Sequence, residues 1–185
     1  MRKTSLSLLL SIGVLSLAGC AASPMASGRM GTFVQDGLPE AVRVPAGHRV
    51  AMETVGAGQV TYECRERTGA AGHEWAFVGP EAVLADRAGR RVGRYFGPPA
   101  TWESMDGSRV TGAQVAVAPA GAGNLPAQLV RAQPAGGTGA MNRVSFIQRV
   151  ATRGGVAPAV ACDAAGVGKR QVLDYQADYI FWVAN

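Results

Sequence analysis

The stretch Gln59-Val60-Thr61-Tyr62-Glu63-Cys64-Arg65 alternates polar and apolar residues. In an extended chain, Val60, Tyr62 and Cys64 share one face and the polar side chains share the other. This pattern is typical of an antiparallel strand that buries one face and leaves the other in water. The stretch therefore predicts a half-buried strand, and the rest of the chain can be compared with it.

Similar short runs occur along most of the chain, and helical periodicity is nearly absent. We interpret Val55-Gly56-Ala57-Gly58 and Gly79-Pro80 as breaks between strands, and Asp106-Gly107 as a tight hairpin turn. These breaks and turns divide the chain into about nine or ten short predicted strands. The segments are 49–54, 59–65, 75–78, 82–85, 92–96, 101–103, 109–118, 125–131, 144–152 and 172–183.

Many short strands with frequent turns predict an all-β fold, either a sandwich or a barrel. We place one antiparallel domain at residues 39–185, a length that suits a single core. Residues 20–38 are rich in Ala, Ser, Pro and Gly, and we interpret them as a flexible stalk.

The first residues resemble the signal peptide of a bacterial lipoprotein. Arg2 and Lys3 precede an apolar run that ends in Leu17-Ala18-Gly19-Cys20. The resemblance implies cleavage after residue 19, a diacylglycerol on the Cys20 thiol and acylation, for example with palmitate, of the new amine. Several acyl chains anchor a protein stably. Ala21 and Ala22 resemble the pattern sorted to an outer membrane facing the periplasm; the alternative is ordinary cleavage that leaves a soluble periplasmic protein.

The charge of the chain gives little support to nucleic-acid binding. The full chain has 18 basic and 13 acidic residues, and loss of Arg2 and Lys3 leaves 16 against 13, a net charge of +3. The basic residues are scattered, and no basic cluster is interleaved with aromatic residues.

The cysteine count predicts one disulfide. With Cys20 lipidated, two of the three cysteines remain, Cys64 and Cys162. An even remainder in an oxidising compartment favours a bond between them. The alternative is two free buried thiols.

An ordered set of motifs resembles the domain-of-unknown-function 3455 family of bacterial and fungal secreted proteins. The set covers nearly all of the predicted domain, and its members are Tyr62-Glu63-Cys64, Trp75-x-Phe77-x-Gly79-Pro80, Thr101-Trp102-Glu103, Asp106-Gly107-Ser108, Ile147-Gln148-Arg149-Val150, Gly154-Gly155-Val156-Ala157-Pro158, Cys162-Asp163 and Ala177-Asp178-Tyr179. The family brings no established activity, so the resemblance implies no catalytic residue. Family members often have histidines before the Thr-Trp-Glu motif, but Gly93–Gly97 contains none here.

The best polar constellation is Trp102, Glu103 and Asp106. An exposed indole beside two carboxylates could stack a sugar ring, and the carboxylates could act in hydrolysis. We favour the structural interpretation, in which Asp106 binds turn amides and Trp102 packs in the core. We also expect Arg149 and Asp178 to pair across neighbouring strands.

The sequence offers no other chemistry. Two isolated histidines, His48 and His73, do not have metal-ligand spacing, and no nucleophile motif is present. We therefore predict no catalytic residues, metal or cofactor. The first hypothesis is a non-enzymatic, lipid-anchored envelope protein that binds a carbohydrate ligand or an envelope protein. The alternatives are a secreted carbohydrate-active or other hydrolase using Glu103 and Asp106, and a purely structural or stress-related envelope protein.

Overall fold

The computed structural model describes residues 32–185, and the predicted signal peptide, Cys20 and most of the predicted stalk lie outside this range. The described chain forms a closed antiparallel barrel in which eight strands follow one another in sequence order and the last pairs with the first. The strands are β1 (His48–Glu66), β2 (His73–Ala85), β3 (Arg91–Phe96), β4 (Thr101–Ser104), β5 (Arg109–Ala118), β6 (Ala127–Pro134), β7 (Val144–Gly154) and β8 (Arg170–Ala184).

The all-β antiparallel prediction is confirmed, with eight strands rather than nine or ten. Segments 49–54 and 59–65 are one strand, because the glycines between them stay in the β1 ladder. A side chain at Gly56 would come within 2.5 Å of the Tyr179 ring. Glycine here allows a close approach inside the barrel rather than a turn.

The predicted segments 75–78 and 82–85 also form one strand, because β2 runs through Gly79-Pro80. Proline cannot donate a hydrogen bond to a neighbouring strand, so it is tolerated where one side of a strand is unpaired. The pairing of β2 with β3 begins at Glu81, just after Pro80. The predicted hairpin at Asp106-Gly107 does connect β4 to β5.

The barrel interior is filled with aromatic and aliphatic side chains. The Tyr95 and Trp102 rings stack at 4.5 Å, and Tyr179 lies 5.1 Å from Tyr95 and 5.9 Å from Trp102. Trp102 and Tyr179 are each 1% exposed. Packed aromatic rings of this kind occupy the interior of a small barrel and contribute much of its burial energy.

A second hydrophobic cluster lies on the outer face of the barrel, under residues 33–44, which we call the N-terminal strap. Val42 and Val44 of the strap pack with Phe146, Ile180 and Trp182 on strands β7 and β8. The strap includes residues 33–38 of the predicted stalk, since Phe33 and Leu38 also contact this cluster. The packed part of the chain therefore begins before residue 39.

The disulfide between Cys64 and Cys162 is present, with the two Cα atoms 5.5 Å apart. Cys64 lies in β1, as predicted, whereas Cys162 lies in the connection between β7 and β8 rather than in a strand. The bond therefore ties this connection to the long strand β1. Among residues 32–185, no helix is long and apolar enough to cross a membrane.

Candidate functional site

Trp102 does not offer a binding surface in this structure. Its side chain faces the barrel interior, and its two ring neighbours are Tyr95 and Tyr179. Its Nε1 is buried and has no hydrogen-bond partner among the described residues. Because the Trp102 ring is buried against the rings of Tyr95 and Tyr179, it is not available to stack against a sugar.

Glu103 is held by two arginines on the neighbouring strands. Its carboxylate lies 3.1 Å from Arg94 of β3 and 2.9 Å from Arg109 of β5. The hydrogen bond from Arg94 is the main cause that lowers the pKa of Glu103, and the charge of Arg109 adds to it. The carboxyl is therefore ionised at neutral pH.

Asp106 organises the turn between β4 and β5. It accepts hydrogen bonds from the Ser108 hydroxyl at 2.6 Å, the Ser108 amide at 2.9 Å and the Ala140 amide at 2.8 Å. These bonds, with that of the Ser108 hydroxyl largest, hold the pKa of Asp106 far below its usual value. Asp106 binds a turn amide, as the structural interpretation of the sequence expects, and its bond with Ala140 also links the turn to residues 137–142.

The expected pair of Arg149 and Asp178 does not form. Arg149 lies opposite Tyr179 in the β7–β8 register, one position away from Asp178. Since successive residues of a strand point to opposite faces, the two side chains are separated by the sheet. Asp178 instead pairs with Arg87 at 2.8 Å, and Arg149 donates to the Pro126 carbonyl at 3.1 Å.

An open cleft of about 900 Å³ lies across strands β7, β8, β1, β2 and β3. The register places one outward row across these five strands: Arg153 pairs with Gln176, which pairs with Ala57, then Val83, then Arg94. A second outward row runs beside it. This row consists of Asp174, Gln59, Glu81 and Phe96.

Some charged side chains of this cleft already have partners within the described residues, and others do not. The Arg94 guanidinium is fixed between Glu103 and the Phe96 ring, 4.5 Å from the ring centroid. Arg91 and Arg153 make no ion pair with any residue between 32 and 185. Gln59 donates to Asp174 at 3.1 Å, while Glu81 has no side-chain partner in the same part of the chain. Arginine and carboxylate groups therefore remain available for a ligand.

Among the three predicted site residues, Glu103 borders a cleft. It lines a smaller depression of about 260 Å³, which shares Arg91 and Arg94 with the large cleft. Trp102 and Asp106 line neither. The sequence reasoning missed the cleft because its residues come from five separate strands, and no local motif links Arg91, Arg153 and Asp174.

The described residues contain no group of three His, Cys, Asp or Glu side chains that could hold a metal ion. His48 contacts the Pro45 carbonyl through Nδ1, at 3.0 Å, and packs edge-on against Phe146. His73 begins β2, far from the cleft in the register.

The family described as "Protein of unknown function (DUF3455)" matches residues 45–183. This chain belongs to that family. The match begins just before β1 and ends near the close of β8, so it covers all eight strands of the barrel. Neither a curated protein nor a solved structure matches the chain.

Proposed function

We propose that this member of the DUF3455 family is an exported, lipid-anchored envelope protein whose barrel is a non-enzymatic ligand-binding domain. The observation that carries the proposal is the open cleft of about 900 Å³, which is lined by outward-facing arginine, carboxylate and glutamine side chains. A cleft of this volume is within the range of small-molecule sites. Planar polar groups of these types suit a sugar or peptide ligand rich in hydrogen-bonding groups.

Two features of the chain support the export and the anchor. The sequence Leu17-Ala18-Gly19-Cys20 follows an apolar run with a basic start. The bond between Cys64 and Cys162 suits an oxidising compartment such as the periplasm. The domain would face the periplasm from the outer membrane, held by the lipid on Cys20.

The carboxylates argue against the hydrolase alternative. A glycosidase needs one carboxylic acid that remains protonated near neutral pH, and such an acid has a raised pKa. Glu103 and Asp106 both have lowered pKa values, and each is tied to fixed partners. Neither is arranged as a general acid, so binding explains the available groups better than catalysis.

A blocking substitution in the cleft tests the ligand-binding proposal. Ala57 is exposed and lies between Gln176 and Val83 in the first outward row, so Ala57→Trp would fill the cleft with a large side chain. Ala113→Trp is the matched control, because Ala113 is an exposed strand residue of β5 outside the cleft. Isotope-labelled protein is titrated with soluble glycan and peptide fractions of the envelope, and amide shifts are mapped.

We expect shift changes around the cleft in the unaltered protein and in Ala113→Trp, and their loss in Ala57→Trp. Binding that survives Ala57→Trp, or shifts that map elsewhere on the barrel, would reject the proposed site. The anchor is tested separately by Cys20→Ala. This variant should leave the membrane fraction, and intact-mass measurement of the unaltered protein should show added acyl chains.

A further inference from the structure

The charges in the cleft are sorted by sign. Arg153 and Arg94 lie at the two ends of one row, and Arg94 is already paired with Glu103. Arg91, which has no ion pair among residues 32–185, lies three residues before Arg94 on β3. The acidic residues Glu81 and Asp174 lie in the other row. We call these the arginine side and the acidic side of the cleft.

The register gives the spacing of the two sides. Asp174 is two residues from Gln176 on β8, and Glu81 is two residues from Val83 on β2. Two residues of a strand span about 7 Å, so the two rows run parallel at that spacing. Along the arginine side, Arg153 and Arg94 are four strands apart, which is about 19 Å at the usual strand spacing. The cleft therefore presents two charged edges to an elongated ligand.

This arrangement discriminates among ligand classes. A polyanion that paired with Arg91 and Arg153 would also bring negative charge close to Glu81 and Asp174, and such like-charge contacts are unfavourable. A neutral glycan would remove water from charged groups without offering them opposite charges. A ligand with both signs, separated across its width, satisfies both sides at once.

We propose that the cleft binds a zwitterionic peptide, one whose free carboxylates face the arginine side and whose free amine faces the acidic side. This inference rests on the ligand-binding function proposed above and specifies the class of ligand. In a bacterial envelope, such a peptide can be free or attached to a glycan. The shared chemistry is the pair of opposite charges on one short chain.

The test uses a synthetic tetrapeptide that contains a diamino acid and therefore carries free carboxylates and a free side-chain amine. Two modified forms accompany it: one with the side-chain amine acetylated and one with the carboxylates amidated. A fourth probe carries the same peptide on a disaccharide. Affinities for the full chain are measured by calorimetry at fixed, moderate ionic strength, because salt screens exposed charges.

We expect the unmodified peptide to bind best and each modification to weaken binding about tenfold. In the double variant Glu81→Gln/Asp174→Asn, acetylation should no longer matter, since the amine has lost its partners. In Arg91→Gln/Arg153→Gln, amidation should no longer matter for the same reason. Glu40→Gln and Arg143→Gln change charges outside the cleft and should leave every affinity unchanged.

The inference is overturned if the acetylated peptide binds as tightly as the unmodified one, or if its penalty persists when both acidic residues are neutralised. It is also overturned if none of the four probes binds while envelope fractions still bind in a way that Ala57→Trp abolishes; the ligand-binding proposal then stands. Loss of binding to the envelope fractions as well removes both. Tighter binding of the disaccharide form identifies the glycan-attached peptide as the source.

Discussion

Gln148 joins the N-terminal strap to the barrel, and its removal gives the sharpest test of the packing described above. The side chain is completely buried on the outer face of β7. Its amide donates to the Val42 carbonyl at 2.6 Å and to Gln35 at 3.0 Å, and its oxygen accepts from Trp182 Nε1 at 2.8 Å. One amide therefore connects two parts of the strap with β8.

The expected loss of stability follows from the buried groups that lose their hydrogen-bond partners in Gln148→Leu. The substitution keeps an apolar side chain of similar size but leaves the Val42 carbonyl and the Trp182 Nε1 without partners in a buried place. Each orphaned buried group costs about 1–3 kcal/mol. Gln35 is half-exposed and can turn to water, so it adds little. The free energy of unfolding should fall by about 2–6 kcal/mol.

A double-mutant cycle isolates the hydrogen bond from the loss of volume. Trp182→Phe alone leaves the Gln148 oxygen unpaired, whereas the double variant Gln148→Leu/Trp182→Phe removes both partners together. The double variant should therefore be more stable than the sum of the single effects predicts, by about 1–2 kcal/mol. Urea unfolding followed by far-ultraviolet circular dichroism measures this without relying on tryptophan fluorescence.

Trp102→Phe is the matched control, because it removes the same indole atoms but its Nε1 has no partner among residues 32–185. Its cycle with Gln148→Leu should show no coupling. Additive effects of Gln148→Leu and Trp182→Phe, within about 0.5 kcal/mol, would refute the assigned role of Gln148. Hydrogen exchange adds a second measurement, since the amides of the strap should open before the barrel in Gln148→Leu.

Three further predictions concern the interior, the disulfide and a close contact. Burial raises the pKa of all the tyrosines in the chain, which are Tyr62, Tyr95, Tyr175 and Tyr179. Their stabilising effect is complete below about pH 10 and is lost as the pH rises further. Tyrosinate absorbance should therefore appear only together with unfolding. Tyrosinate absorbance near pH 10 without loss of circular dichroism would contradict this. The Cys64→Ala/Cys162→Ala variant should lose about 4–5 kcal/mol on the chain-entropy argument, since the bond spans 98 residues, and a loss below about 1 kcal/mol in urea unfolding would reject that argument. Gly56→Ala should destabilise the barrel by about 1–3 kcal/mol by crowding the Tyr179 ring, whereas Gly37→Ala, which meets no atom within 4 Å, should be nearly neutral in the same measurement.

The strands could be predicted from the sequence because alternation is a local property. Segment 109–118 matches β5 at both ends, and Asp106-Gly107 marks the hairpin that precedes it. The errors arose at glycine and proline, which have more than one structural use. Gly56 gives space to Tyr179, a residue more than a hundred positions away, and no local pattern reveals such a contact.

Neither the closure of the barrel nor the position of the cleft could be predicted, because both depend on contacts between residues far apart in sequence. The choice between a sandwich and a barrel depends on the pairing of β1 with β8, which joins opposite ends of the domain. The cleft depends on that pairing too, since it places Gln176 beside Ala57 and completes the rows. Trp102 and Glu103 are neighbours in β4 and therefore point to opposite faces, while Asp106 lies in the turn that follows β4.

A comparison of the barrel interior with its two outer surfaces shows why we expect a ligand to bind at the cleft. The interior is filled by Tyr95, Trp102 and Tyr179, so a ligand there would have to displace packed rings. On one outer surface, the strap covers the apolar side chains and Gln148 satisfies the polar groups beneath it. On the other, Arg91, Arg153 and Glu81 face open space with no ion pair to one another or to other described residues. Exposed charges add little to stability. Their separation by sign therefore adds little to the stability of the barrel, and it is the arrangement that the proposed zwitterionic ligand would use.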